Sequence, residues 1–447
     1  MSLFDNNRLT NDTFKLDVER MSKGWYSDKY FANINKMLVA LAAEGYHYAG
    51  KQNNLPAGMS AEQILIGDME VEMQWFTRRV GKTIVVGIDK SLAMLQHCTG
   101  VFEDGKFINT ADKLEVWAVQ DGDVVISDGD PLKVQPVIRV HGRYRDFALL
   151  ETPTLGTLTR SSRIATNVYE TFEAAKGKPM LFFPARFDSH EVQASDGYAY
   201  NIALQRFNLD HAKDVGAFIS TDAQGDWWGG AGGGTIAHAA IASFLGDTAE
   251  AMMAFARLLP VEVPRIALVD FNNDCVRDSK MTLKAMFDEY VRLLANGEQT
   301  EAEKYVLYGV RLDTSGSLRD ESVLPLGDPA LDLGVNPRLV FNVRDALDNA
   351  WREWDLTDDL LPIAQRYCGN VKIVVSGGFS PDKIRKFEKL GVPSDIYAVG
   401  SYLFNNNGST VTDYTADVVR VKVHGKWVDM AKVGRKPLNN PALKRVW

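Results

Sequence analysis

The sequence predicts an α/β fold: a parallel sheet or barrel crossed by helices, preceded by a smaller α+β domain. Three observations carry this reading. From about residue 180 to residue 401, short apolar runs alternate with helical stretches, a pattern that implies parallel strands joined by crossovers. The first third instead carries short strands punctuated by Gly and Pro, as a small antiparallel sheet would. The final stretch, ADVVRVKVHGKWVDMAKVG, reads as a hairpin and is expected to rejoin that N-terminal sheet. At 447 residues the chain is too long for one ordinary domain. The expected division is 1–145 for the α+β domain, 146–410 for the α/β part and 411–447 for the returning strands.

Taken in order, residues 28–45 have helical period, with Tyr30, Phe31, Ile34, Met37, Leu38 and Leu41 on one side and Gly45 as the stop. Residues 70–78 (EVEMQWFTR) alternate like a half-buried strand. LEVWAV, DVVIS and PVIRV are short strands, with Gly122, Gly129 and Pro131 in or beside their turns. Residues 144–177 are mainly helical. MLFFPAR, RIALVD, LYGVRLD, VKIVVSGG and DIYAVGS then follow as strands, with a long helix after RIALVD and PDKIRKFEKLG as the helix between the last two.

Composition narrows the function. Hydrophobic residues make up 45% and charged residues 24%, the balance of a globular protein. A net charge of −8 argues against nucleic acid as partner but leaves room for a local basic pocket. Cys98, Cys275 and Cys368 lie far apart and form no CxxC pair, so neither a zinc site nor a disulfide framework is expected. The N-terminus has no apolar core of a signal peptide, and no run approaches a membrane span. A soluble cytoplasmic protein without membrane or nucleic-acid partners is expected.

Two regions point to phosphate chemistry. In VVSGGFSPDKIRKFEKLG a buried strand ends at Ser376, and Gly377 and Gly378 lead to a helix that Ser380 caps and Pro381 starts. Bare N–H groups at such a junction suit a phosphate. A lone Gly-Gly is often only a tight turn. Here the next strand also ends in a glycine, at Gly400 and Ser401, and two neighbouring tips of this kind form a phosphate cup. The second region is GDWWGGAGGGTIAHAAIASF, with five glycines between Gly229 and Gly234. Thr235 is the expected cap of the following helix, and His238 falls in its first turn, placed to carry a phosphoryl group. An isolated His more often just packs, but this much glycine is costly unless backbone must come close to something.

Together these motifs resemble the nicotinate phosphoribosyltransferase family. GTIAH at 234–238 is similar to its Gly-Thr-x-x-His pattern, GVRLDT to its Arg-x-Asp strand, and VVSGGF and YAVGS to its phosphate loops. RIALVDFNND resembles its Leu-Val-Asp strand, with Asp270 at the tip. YRDFALLETPTLGTLTRSSRIATN is similar to the helical entry into the barrel, and DKYF to its opening Asp-x-Tyr segment. The resemblance implies an irregular α/β barrel of the type II phosphoribosyltransferase kind. The implied reaction joins nicotinate to C1 of 5-phosphoribosyl 1-pyrophosphate, releasing pyrophosphate, with Mg2+ on the pyrophosphate or ATP and with ATP hydrolysis through a phosphohistidine at His238.

The resemblance assigns Asp270 and Asp313 to the ribose hydroxyls or the metal–pyrophosphate end, and Arg186 and Arg311 to the nicotinate carboxylate. Gly234 and Thr235 join the substrate site. Ser376, Gly377, Gly378, Gly400 and Ser401 take the 5-phosphate. Tyr30 would stack on the pyridine ring of a partner subunit, implying a homodimer with shared active sites; periodicity alone makes Tyr30 a core aromatic. The chain departs from the family in FFPARFDSHE, where Phe187 stands in place of a second basic residue and His190 sits off the usual spacing. That leaves nicotinamide, which has no carboxylate, and less readily quinolinate, which has two, as alternative bases. A nucleotide-binding protein without catalysis, or an unrelated phosphosugar-barrel isomerase, are rivals of other kinds. Neither accounts for GGGTIAH together with Asp270, Arg311 and Asp313. The polar segment 313–334, with Gly316 and Gly327, suits a mobile cover or an ordinary surface loop alike.

Overall fold

The computed structural model describes Asp5 and residues 7–447. They form two compact units. The first holds the residues up to Tyr169 together with Tyr198–Arg206 and Asn405–Trp447; the second holds Glu170–Gly197 and Phe207–Phe404. These boundaries compare with the 145 and 410 read from the sequence.

The first unit is built on a six-stranded antiparallel sheet. Its order is Lys426–Asp429, Tyr414–Val423, Glu70–Thr77, Ile138–Arg143, Glu115–Ala118 and Lys444–Arg445. The C-terminal strands therefore rejoin the N-terminal sheet, Tyr414–Val423 pairing with Glu70–Thr77 from Tyr414 opposite Thr77 onward. Trp75, Val116, Val140 and Leu158 pack in its core.

Glu70–Thr77 is not the half-buried strand its alternation suggests, because all its residues after Glu70 are buried. The reason is an ion network over the polar face. Glu72, 1% exposed, meets His141 at 3.1 Å, Arg420 at 3.0 Å and Arg139 at 3.6 Å. Burial alone would raise its carboxyl, but His141 and Arg420 hold it down at about 2.

The helix Lys29–Ala43 ends before Gly45, which takes positive φ. Its apolar stripe is only partly used, since Phe31 and Leu38 are buried while Met37 and Tyr30 are exposed within this unit. Tyr30 is thus not a core aromatic of its own unit.

The second unit carries a five-stranded parallel sheet, in the order Met180–Phe182, Ile396–Val399, Lys372–Val375, Gly309–Leu312 and Ile266–Leu268. Leu181, Ile266, Val374, Ile396 and Ala398 form a cluster on it with Phe183 and Phe218. Parallel bridges from Phe182 to Ile219 and from Ile219 to Gly232 extend the first edge. Among the described residues this ladder does not close on itself, so the barrel expected from the resemblance is seen as an open arc of parallel strands. Each strand is short and apolar because helices cover it: Cys275–Ala295, Pro337–Asn349, Leu361–Gly369 and Pro381–Lys389 are the crossovers between successive strands. No described helix is long and apolar enough to cross a membrane, and Cys98, Cys275 and Cys368 are free and buried.

Candidate active site

Parallel strands deliver their C-terminal ends to one side of the sheet, and the second unit has a cavity of about 470 Å³ there. Its walls come from successive strand tips. Phe183 to Phe187 follow Met180–Phe182, Arg311 and Asp313 end Gly309–Leu312, Ser376 to Phe379 follow Lys372–Val375, and Gly400 and Ser401 follow Ile396–Val399. The segment from Gly233 to His238 completes it. Arg186, Gly234, Thr235, His238, Arg311, Asp313, Ser376, Gly377, Gly378, Gly400 and Ser401, singled out from sequence, all line this one cavity. Asp270 stands just behind the wall, beyond the tip of Ile266–Leu268, with its Oδ1 3.1 Å from His238 Nε2. Tyr30 belongs to the other unit, where its ring lies 4.3 Å from that of Phe31. His190 is outside the lining, 3.4 Å from Glu191.

The cationic groups are under-partnered. Arg311 reaches Asp313 only at 3.5 Å, its buried Nε meets no acceptor among the described residues, and its guanidinium sits 5.9 Å over the Phe183 ring. Arg186 is exposed and lies 5.3 Å over the Phe187 ring. A guanidinium with spare in-plane donors on a cavity wall matches a carboxylate.

The carboxylates are, in contrast, held. Ser376 Oγ donates to Asp313 Oδ1 at 2.7 Å and lies 3.0 Å from the Leu312 carbonyl. The single hydroxyl proton of Ser376 is thus directed into the protein. Burial raises the Asp270 carboxyl, and the neighbouring His238 works against it.

Backbone donors remain open. Gly377 and Gly378 have φ of +87° and +67°, left-handed values that a residue with a Cβ adopts only with strain. The N–H groups of Gly377, Gly378 and Phe379 meet no protein acceptor among the described residues.

Glycine elsewhere in the site has other causes. A Cβ at Gly400 would lie 2.7 Å from the Phe187 ring, so Phe187 occupies that space. In the glycine run, a Cβ would meet the Gly230 carbonyl at 1.9 Å from Gly225, the Trp228 ring at 2.3 Å from Gly230, and Thr221 at 2.7 Å from Gly232. These glycines serve the chain's own close packing, whereas Gly234 has nothing within 4 Å and faces the cavity.

Thr235 is not the helix cap expected of it. The helix is His238–Ser243, its N-cap is Ala237, and no side chain accepts there. Extended backbone at Ala237 (φ −109°, ψ 157°) delays the helix by two residues, leaving Thr235 in the loop on the cavity wall. His238 is therefore oriented by Asp270 rather than by a capped helix end.

Segment 313–334 is tied down at several points. Asp320 accepts from Cys275 N at 3.0 Å, Gly334 N donates to Leu318, and Asn273 Nδ2 donates to the Arg319 carbonyl. Asp332 accepts from Leu326 N and Gly327 N and pairs with Arg338 at 2.7 Å. Phe183, Ser220 and Phe379 also line the cavity and were missed in the sequence. Phe183 stands in the FFPAR stretch, three residues before Arg186, and was the one within reach of the motif.

Residues 59–162 match the family model described as "Quinolinate phosphoribosyl transferase, N-terminal domain". Among solved structures the chain is similar to a nicotinate-nucleotide pyrophosphorylase from Pyrococcus furiosus, with 22% identity and a TM-score of 0.63 over 94% of this chain and 80% of that one. It is also similar to human nicotinic acid phosphoribosyltransferase, with 14% identity and a TM-score of 0.50 over 88% of this chain and 74% of that one. The likeness is one of fold: the α/β architecture read from the motifs, parallel strands crossed by helices together with an N-terminal sheet that the C-terminal strands rejoin, is the one observed.

Proposed function

We propose that the protein is a nicotinate phosphoribosyltransferase that joins nicotinate to 5-phosphoribosyl 1-pyrophosphate in NAD synthesis. The observation that carries this reading is Arg311. It is a guanidinium on the cavity wall with a buried donor that meets no acceptor among the described residues, and the same cavity is lined by Gly377 and Gly378 with their open backbone N–H groups. The guanidinium suits a carboxylate and the N–H groups suit a phosphate.

In this reading Arg311 and Arg186 take the nicotinate carboxylate, and Phe183 and Phe187 offer apolar surface to the pyridine ring. The ring nitrogen is already a nucleophile, so the chain has to position the two substrates and stabilise charge as the C1–O bond breaks. The backbone at Gly377, Gly378 and Gly400, with Ser401, holds the 5-phosphate, while Ser376 orients Asp313. Asp313 on the cavity wall, and Asp270 beside His238, would take the ribose hydroxyls or hold the Mg2+ that comes with the pyrophosphate, an ion that commonly takes one or two carboxylates beside substrate phosphates. Gly234 and Thr235 give the substrate a wall free of bulk.

ATP is the second co-substrate of the proposal. His238 Nε2 faces Asp270, which leaves Nδ1 as the nitrogen that attacks the γ-phosphoryl group, with ADP as leaving group. Tyr30, exposed in its own unit, is assigned to a partner's pyridine ring in a cytoplasmic homodimer.

A quinolinate-using enzyme is the second reading, favoured by the description of the family model matched at 59–162. Phe187 in place of a second cation speaks for the one-carboxylate base. Equilibrium titration with nicotinate tests the assignment. Arg311→Met is expected to abolish nicotinate binding and leave ribose 5-phosphate binding intact. Unchanged nicotinate binding would remove Arg311 from the base site.

A further inference from the structure

Behind the Gly377–Gly378 loop lies a lysine that the site has not used. Lys383 sits in the first turn of Pro381–Lys389, where Ser380 Oγ accepts from its backbone N–H. Its half-buried side chain turns toward the loop that precedes the helix. The ammonium donates to the Gly377 carbonyl at 3.2 Å and stands 4.2 Å over the Phe379 ring and 6.0 Å from that of Phe387.

No carboxylate partner for it exists among the described residues. Neighbouring Asp382 is taken by Arg385 at 2.7 Å, and the nearest charge acting on Lys383 is another cation, Lys386. Burial first, and then Lys386, pushes this ammonium down to about 8. A half-buried charge held without an anion is unfavourable unless a ligand supplies one.

The contact with Gly377 has a stereochemical consequence. In a planar trans peptide the C=O and the following N–H point in opposite directions. By drawing the Gly377 carbonyl toward itself, Lys383 turns the Gly378 N–H the other way, off the loop face that it occupies. That N–H meets no protein acceptor among the described residues, and Gly378 lines the cavity while Lys383 does not.

We propose that Lys383 is a positioning residue of the phosphate cup, fixing the Gly377–Gly378 peptide from behind and supplying the countercharge for the bound 5-phosphate. The proposal rests on the reading of this loop as a phosphate site and not on the identity of the base.

Calorimetric titration with ribose 5-phosphate tests it, together with steady-state KM for 5-phosphoribosyl 1-pyrophosphate and for nicotinate. Lys383→Met keeps the aliphatic packing on Phe379 and Phe387. It is expected to weaken ribose 5-phosphate binding and raise the pyrophosphate-substrate KM on the order of tenfold, with the nicotinate KM unchanged. Lys383→Arg is expected to restore most of the loss. Should the Met variant fail to fold, Lys383→Gln, which keeps a donor for the Gly377 carbonyl without the charge, takes its place with the same expected direction.

Equal ribose 5-phosphate affinity in wild type and the uncharged variant overturns the proposal. So does an equal rise in both KM values that arginine does not rescue. Wild type that binds ribose 5-phosphate but turns over no base leaves Lys383 standing and removes the nicotinate reading. Wild type that binds no ribose 5-phosphate removes both.

Discussion

At Arg311, spare donors and the aromatic face of Phe183 define what the residue can hold. Lysine keeps the charge but loses the planar fork, so Arg311→Lys is expected to raise the nicotinate KM on the order of tenfold or more with a smaller change in kcat. His238 is tied to Asp270 through one nitrogen. His238→Ala is expected to remove stimulation by ATP and any acid-labile phosphate left after incubation with labelled ATP, while transfer without ATP persists. Retained labelling in that variant would place the phosphoryl group elsewhere. Away from the site, burial, reinforced by Asp417 and Asp28, pushes the Glu151 carboxyl up to about 8. A carboxyl raised from 4.5 contributes stability in its neutral form, fully present below the unfolded value and lost as pH climbs through about 8. Glu151→Gln stays neutral, so its Tm is expected to exceed that of wild type at about pH 9 and to match it near pH 4. Equal Tm values at high pH would contradict this.

At the level of elements, most of the second unit was legible. Strands such as RIALVD and VKIVVSGG announce themselves by apolar runs that stop at a charged or glycine tip, and such tips supply much of the cavity wall. What misled was local. Thr235 has the residue type of a cap, but the extended residue before the helix is Ala237, and type alone does not report φ and ψ. EVEMQWFT alternates because its polar face carries a polar and ionic network, not because it faces water; the partners Arg139, His141 and Arg420 come from strands distant in sequence. The glycine run was read as one device for ligand approach, yet it divides into glycines packed against the chain itself and two, Gly233 and Gly234, that line the cavity. This division is testable. Gly225→Ala, whose Cβ would meet the Gly230 carbonyl at 1.9 Å, is expected to cost on the order of 2 kcal/mol or more in urea unfolding. Gly234→Ala, with nothing within 4 Å, is expected to leave stability nearly unchanged and to lower kcat/KM. Equal stability losses in the two variants would remove the distinction.

On the scale of the whole chain, residues distant in sequence converge because parallel strands present their ends together. Arg186, His238, Arg311, Ser376 and Gly400 come from separate stretches and meet in one cavity of the second unit. Tyr30 was placed by resemblance alone, and it is exposed in the first unit; a partner's ring is its place in the proposal only. The base remains the central question, since the cavity offers two guanidinium groups and puts Phe187 where a further cation would favour quinolinate. The decisive measurement is turnover by purified protein with 5-phosphoribosyl 1-pyrophosphate and magnesium, given nicotinate, nicotinamide and quinolinate in parallel, each with and without ATP, with mononucleotide read by chromatography. The account predicts product from nicotinate, stimulated by ATP and unmatched by the other two bases. Product from nicotinamide or quinolinate in place of nicotinate would contradict the assignment of Arg186 and Arg311, and no product from any base would contradict the reading of the cavity as a phosphoribosyl-transfer site.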